Sequence, residues 1–204
     1  MVECLTSQRD GAIRVTAIRR DGLPGWLAEH PEYRGWLSTV GFRAEPGTFS
    51  FLPGASGSPA GVIAAPVEEA SVWAFAALPM SLPEGTYLLD ANGGSLPTDI
   101  ALGWALGSYA FARYKKPKRA PAKLVWPEGA DRNEVERVAD AVSLVRDMVN
   151  TPAEDLGPEE LANAAVDVAK KHGATTRVIV GDELIKQNFP TIHAVGRASS
   201  RPPA

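Results

Sequence analysis

From Asp131 onward Val135, Val138, Val142, Val145 and Val149 recur at spacings of three and four, which makes one apolar stripe along an α-helix and fits no strand. Asp131 and Glu134 stand at its start like a capping-box pair, so the spacing predicts an amphipathic helix over about 131–149. That helix divides the chain. Short strand-like and helix-like runs alternate before it, and a second helix followed by an apolar run comes after it.

In the first part, Ile13, Val15 and Ala17 alternate with Arg14 and Thr16, and Arg19-Arg20-Asp21-Gly22 follows as a turn. Phe49–Leu52 and Gly61–Ala65 are two further short strands, expected to be neighbours, joined by the Pro-, Gly- and Ser-dense stretch 53–61. The glycines of that stretch fit no Walker pattern, so it reads as a hairpin connection. Helices are expected over 69–78 (EASVWAFAAL) and over about 97–113, with strands at 87–89 and 122–126. In the helix at 97–113, Ile100, Trp104 and Phe111 share a face, while Leu102, Leu106, Tyr109 and Ala110 make it apolar nearly all round. Five tryptophans (Trp26, Trp36, Trp73, Trp104 and Trp126) lie in this part at no cofactor-like spacing, and are read as core filling.

In the last part, Pro158 suits a first helical position, Glu159 and Glu160 complement the positive end of the dipole, and Lys170-Lys171-His172 before Gly173 closes the helix. Leu161, Ala164, Ala165, Val168 and Ala169 form its apolar stripe, and Arg177–Val180 then reads as a buried strand. One helix and one strand cannot enclose a core, and the tail 199–204 is unsuited to packing. The parent protein is therefore expected to continue beyond Ala204. The fold class predicted is α/β: an N-terminal mixed-sheet α/β domain over 1–127, a connecting helix over 128–149, and the incomplete start of a second α/β domain over 150–204.

Several function classes are disfavoured. A net charge of -3 provides no global field toward nucleic acid or anionic lipid. Cys4 is the single cysteine, which rules out an internal disulfide and a thiolate metal cluster and fits a reducing compartment, so the expected location is the cytoplasm. The first residues lack the apolar core of a signal peptide. The longest apolar stretch, 100–112, falls short of the roughly 20 residues of a membrane span, and no membrane partner is expected.

No chemical constellation stands out. His30, His172 and His193 form no HExxH pair. His172 reads as a cation at a helix C-terminus, His30 before Pro31 as a turn residue, and His193 as structural, with no carboxylate nearby to tune it. The chain has no GxSxG elbow. The carboxylate pairs Glu159-Glu160 and Asp182-Glu183 flank helix starts, Glu154-Asp155 sits in a turn beside Asn150 and Thr151, and Glu68-Glu69 also has a plain structural account. The basic segment 113–123, with Tyr114 among Arg113, Lys115, Lys116, Lys118, Arg119 and Lys123, is read first as a solvated helix end, with a DNA-binding module as the alternative.

Two runs, DMVNTPAEDLG at 147–157 and FPTIHAVGRAS at 189–199, together with the helix and apolar run between them, resemble the opening of the catalytic domain in the leucyl aminopeptidase (cytosol aminopeptidase) family. Residues 1–127 resemble the more variable N-terminal domain of such proteins by position and α/β character. The resemblance implies removal of N-terminal residues from peptides by a water activated between two divalent ions, Mn or Zn, in a homo-oligomer that is a hexamer in the family. Family members hold the metals with a Lys, several Asp and a Glu, partly within an NTDAEGR signature, downstream of the Gly-Arg-Ala-Ser run. Here Asn150-Thr151 is followed by Pro152 and no NTDAEGR occurs, so no catalytic, metal or substrate-binding residue is assigned. The expectation is a chain that binds no metal cofactor by itself, is inactive alone, and organises the catalytic domain of its parent.

Overall fold

In the computed structural model, which describes residues 2–67, 70–90 and 96–204, the alternating run Ile13–Ala17 is a strand inside a six-stranded sheet. The strands are β1 (Leu5–Thr6), β2 (Ile13–Ala17), β3 (Phe49–Pro53), β4 (Pro59–Ala64), β5 (Thr86–Asp90) and β6 (Lys123–Val125), arranged β1-β6-β5-β2-β4-β3. Every pairing is parallel except β3 with β4, which are joined by the 53–61 connection as an antiparallel hairpin. The α/β class with a mixed sheet is therefore as expected. The sheet belongs to the first of two units, Met1–Ser143 and Leu144–Ala204.

Period-two alternation sends neighbouring residues of one strand into different cores. Val62 belongs to a cluster with Val15, Tyr87, Leu124 and Trp104, whereas Ile63 joins Leu23, Leu37, Phe42 and Leu52. The second cluster is built by helices α1 (Leu23–Glu29) and α2 (Arg34–Thr39), which the sequence pattern does not announce. Gly25 and Gly35 interrupt them, and Pro24 sits in the first turn of α1. Strand β1 was also unforeseen; its two residues are too few to show a period.

The helix expected over 69–78 is corrected. Glu69, with Glu68, lies outside the described residues, residues 70–77 are turns, and only α3 (Leu78–Ser81) is helical. The reason lies in the next helix, α4 (Pro97–Gly107). A Cβ on Gly103 would stand 1.8 Å from the carbonyl oxygen of Val72, and one on Gly107 would stand 1.8 Å from that of Ala76. The 70–77 backbone lies directly on α4, and this packing overrides a helix-like composition. Helix α4 also ends at Gly107 rather than near 113, leaving Phe111 outside it, edge-on to Tyr114.

Ile100, Ala101, Trp104 and Leu106 of α4 are buried, as its all-round apolar surface demands. The expectation that tryptophans fill the core holds for Trp104 and Trp126, at 0% and 9% exposure, but not for Trp36 and Trp73, at 43% and 48%. The Trp104 indole donates to Ala122 O at 2.8 Å, while the exposed Trp36 indole donates to Phe51 O on edge strand β3. Helix α5 (Arg132–Asn150) begins where the capping pair placed it. Asp131 accepts the Glu134 N–H at 3.0 Å, but its own N–H donates to Thr98 Oγ1, so the pair works in one direction with Thr98 completing it.

The second unit holds the end of α5, then α6 (Pro158–Lys171), α7 (Glu183–Lys186) and α8 (Pro190–Gly196). Gly173, at φ +68°, ends α6 in the left-handed conformation that suits glycine. The buried strand expected at 177–180 is absent: these residues are extended but unpaired, and Val178 and Val180 are 47% and 46% exposed. A strand exists only through a ladder, and among the described residues none runs beside this one. The tail is also corrected. Pro203 is buried against α8, where a Cβ on Gly196 would lie 2.5 Å from its Cβ, and Pro203 O accepts the Gly181 N–H.

Candidate functional site

The most organised polar cluster of the second unit surrounds the turn between α5 and α6. Thr151, a buried polar residue, returns its hydroxyl to Asp147 O at 2.7 Å, closing α5 as a threonine at a helix end can. Pro152 O accepts the N–H groups of Asp155 and Leu156, and the chain enters α6 at Gly157. Here Glu160 accepts the Gly157 N–H at 2.8 Å, the reciprocal half of a capping box. Hydrogen bonds from the backbone N–H groups of Glu160 and Gly157 hold this carboxyl below its ordinary range, with a smaller pull from Arg201.

Arg201 closes the cluster from far along the chain. Its guanidinium donates to Ala153 O at 3.2 Å and to Glu154 O, and lies 3.6 Å from Glu160. Gly157 leaves room for the approach, since a Cβ there would fall 2.4 Å from Arg201 Nη1 and the guanidinium would have to shift. The Glu154 carbonyl and the Asp155 N–H thus both take part in this turn. The arrangement holds a loop in place, and it presents no nucleophile beside a base.

His193 corrects an expectation. Its Nε2 lies 3.0 Å from Asp182 Oδ1, and its side chain is largely covered while Asp182 is exposed. The partner is eleven residues away and reaches it because the starts of α7 and α8 fold together, which sequence proximity does not reveal. Asp182-Glu183 otherwise starts α7 as predicted. Glu183 receives hydrogen bonds from Lys186 and Gln187, which lower its carboxyl pKa. His172 is the C-cap of α6. His30 follows α1 in the turn before Pro31, its ring stacked on Trp26 at 4.3 Å between centroids.

Beside these polar groups, Val166, Val178, Leu184, Phe189 and Ile192 line an apolar cleft of about 320 Å³. Among the described residues no three of His, Cys, Asp and Glu come together as metal ligands. The basic segment follows α4 as irregular chain. Arg119 is committed to the carbonyl oxygens of Leu82 and Met80, Arg113 stacks on Tyr114, and Lys123 sits in β6. Lys115, Lys116 and Lys118 are exposed, and nothing in the structure or the comparisons supports DNA binding. Among the described residues no helix is long and apolar enough to cross a membrane.

Comparison with known proteins adds the context. Residues 13–127 match the family model of the M17 aminopeptidase N-terminal domain, and residues 143–204 match that of the catalytic domain of the cytosol aminopeptidase family. Peptidase B of Klebsiella pneumoniae (strain 342) is 40% identical over 117 residues, which is 55% of this chain and 26% of that protein. The crystal structure of cytosol aminopeptidase from Coxiella burnetii is 33% identical, with a TM-score of 0.88 over 98% of this chain and 44% of its own. A bottromycin maturation enzyme, BotP, in complex with Mn, is 25% identical with a TM-score of 0.67, over 93% of this chain and 43% of its own. The chain thus spans less than half the length of these relatives. With the first unit's sheet and the 143–204 segment both matched, the chain belongs to the M17 aminopeptidase family, carrying its N-terminal domain and part of its catalytic domain.

Proposed function

We propose that this chain is the front portion of a longer metal-dependent aminopeptidase that removes N-terminal residues from peptides, and that these 204 residues organise the catalytic domain rather than perform the chemistry. The observation that carries the reading is the uneven burial of the second unit. Its helices and the 177–180 segment match the catalytic-domain family model, yet Leu161, Val168, Val178 and Phe189 are between 41% and 53% exposed. Apolar surface on this scale calls for a cover, and the remainder of the catalytic domain is the cover proposed. The working division is an N-terminal domain over 1–127, a connecting helix over 128–149 and the start of the catalytic domain over 150–204.

Two divalent ions, Mn or Zn, would be held in the parent by residues outside this chain and would supply the activated water. No catalytic, metal or substrate-binding position is assigned within 1–204, and no chemical step is routed through its side chains. Assembly as a hexamer and a cytoplasmic location complete the reading. The test is hydrolysis of a leucyl chromogenic amide by the purified 204-residue chain with Mn²⁺ or Zn²⁺ added. No turnover above buffer is expected, and metal-dependent turnover by this chain would overturn the proposal.

A further inference from the structure

A cavity of mixed polarity lies in the first unit, within the segment that matches the M17 N-terminal domain and away in sequence from the catalytic-domain segment. It is about 260 Å³ in volume and is formed where the chain leaves α2, turns through 40–48 and enters β3. Val40, Phe42 and Phe49 line it with apolar surface, while Arg43, Glu45, Thr48 and Ser50 bring one cation, one anion and two hydroxyls. Between the two charges sits Ala44, only 2% exposed and at φ +52°. A left-handed non-glycine residue costs on the order of 1–3 kcal/mol, and such strain collects where side chains are held for a purpose. With Ala44 fixed in the core, the exposed Arg43 and Glu45 flank it on either side.

The polar groups are already sorted into donors and acceptors. The Thr48 hydroxyl donates to Glu45 O and the Ser50 hydroxyl donates to Phe51 O, so each proton is engaged and each oxygen retains lone pairs with which to accept. Glu45 meets Arg20 through Oε1 at 3.0 Å, leaving Oε2 as a third acceptor. Among the described residues Arg43 has no hydrogen-bonding or ionic partner, and its fork suits a carboxylate. Three acceptors match the three protons of an ammonium group, one guanidinium matches a carboxylate, and the apolar wall matches an aliphatic or aromatic side chain. A polyamine would meet two arginines, and a multiply charged anion would meet Glu45.

We propose that this cavity binds a free apolar α-amino acid, with its carboxylate on Arg43, its ammonium on Glu45, Thr48 and Ser50, and its side chain against Val40, Phe42 and Phe49. The proposal is independent of the catalytic reading. It is tested by amide chemical-shift mapping of the 204-residue chain titrated with L-leucine, N-acetyl-L-leucine and L-leucinamide, alongside the exposed-site variants Arg43→Gln and Glu45→Gln. Saturable shifts centred on residues 40–50 are expected with L-leucine. Each blocked analogue and each variant should bind roughly tenfold or more weakly, since each loses one charge-assisted contact. The absence of saturable shifts with L-leucine, equal binding of the blocked analogues, or full binding by Arg43→Gln would each overturn it.

Discussion

The two units bury their apolar residues very differently. In Met1–Ser143, Val15, Val62, Ile63 and Trp104 are at 0% exposure, and the central strand β4 packs on both faces. In Leu144–Ala204 the comparably apolar stripe of α6 and the extended 177–180 segment stay largely open, and among the described residues Leu184 and Pro203 are the buried apolar ones. Local structure thus has two origins here. The first unit is held by packing, and the second relies on caps, short helices and the Arg201 cluster, which fix geometry while contributing little burial.

The difference can be broken from the packed side first. Trp104→Ala removes a fully buried indole and its bond to Ala122 O, and should cost about 3–5 kcal/mol in chemical denaturation followed by far-UV signal. Gly103→Ala should cost about 1–3 kcal/mol or more in the same assay, because its methyl would meet the backbone carbonyl of Val72 rather than a side chain that can swing away. Arg201 is the far end of a flexible side chain, so Gly157→Ala should be milder, near 1 kcal/mol, and visible as faster amide exchange over 153–160.

The pH dependence sharpens the second half of the comparison. The Glu160 carboxyl is held below its ordinary value of 4.5, so its contribution to α6 is fully present above that value and is lost as pH falls through the lowered one. Helical signal from α6 should therefore weaken on acidification below about pH 4.5, and Glu160→Gln should match the wild type at low pH while fraying more at neutral pH. At the small end, Val195→Ser changes an 89% exposed side chain and should shift stability by less than about 0.5 kcal/mol.

What the sequence reveals follows the same divide between local and long-range causes. The valine ladder of α5, the marked ends of α6 and the alternation in β2 are local signals, and all three elements form where the pattern puts them. Residues 70–77 and 177–180 mislead because their outcome depends on distant partners. The first lies on Gly103 and Gly107 and cannot be an ideal helix there, and the second has β-branched composition without a neighbouring ladder. The His193–Asp182 pair and the Arg201 cluster were hidden for the same reason, since each joins residues separated along the chain. Glu160 in the first turn of α6 was legible as a complement to the helix dipole, whereas its bond from the Gly157 N–H was not read from the sequence.

Residue-resolved hydrogen exchange of the 204-residue chain tests most directly whether stability resides in the first unit. The amides of β2, β4, β5 and α4 should be the slowest to exchange, approaching the global unfolding free energy, while those of 174–199 should exchange through local opening and much faster. Equal protection across both units would contradict the account, since it would mean that the exposed apolar face of the second unit carries no energetic consequence.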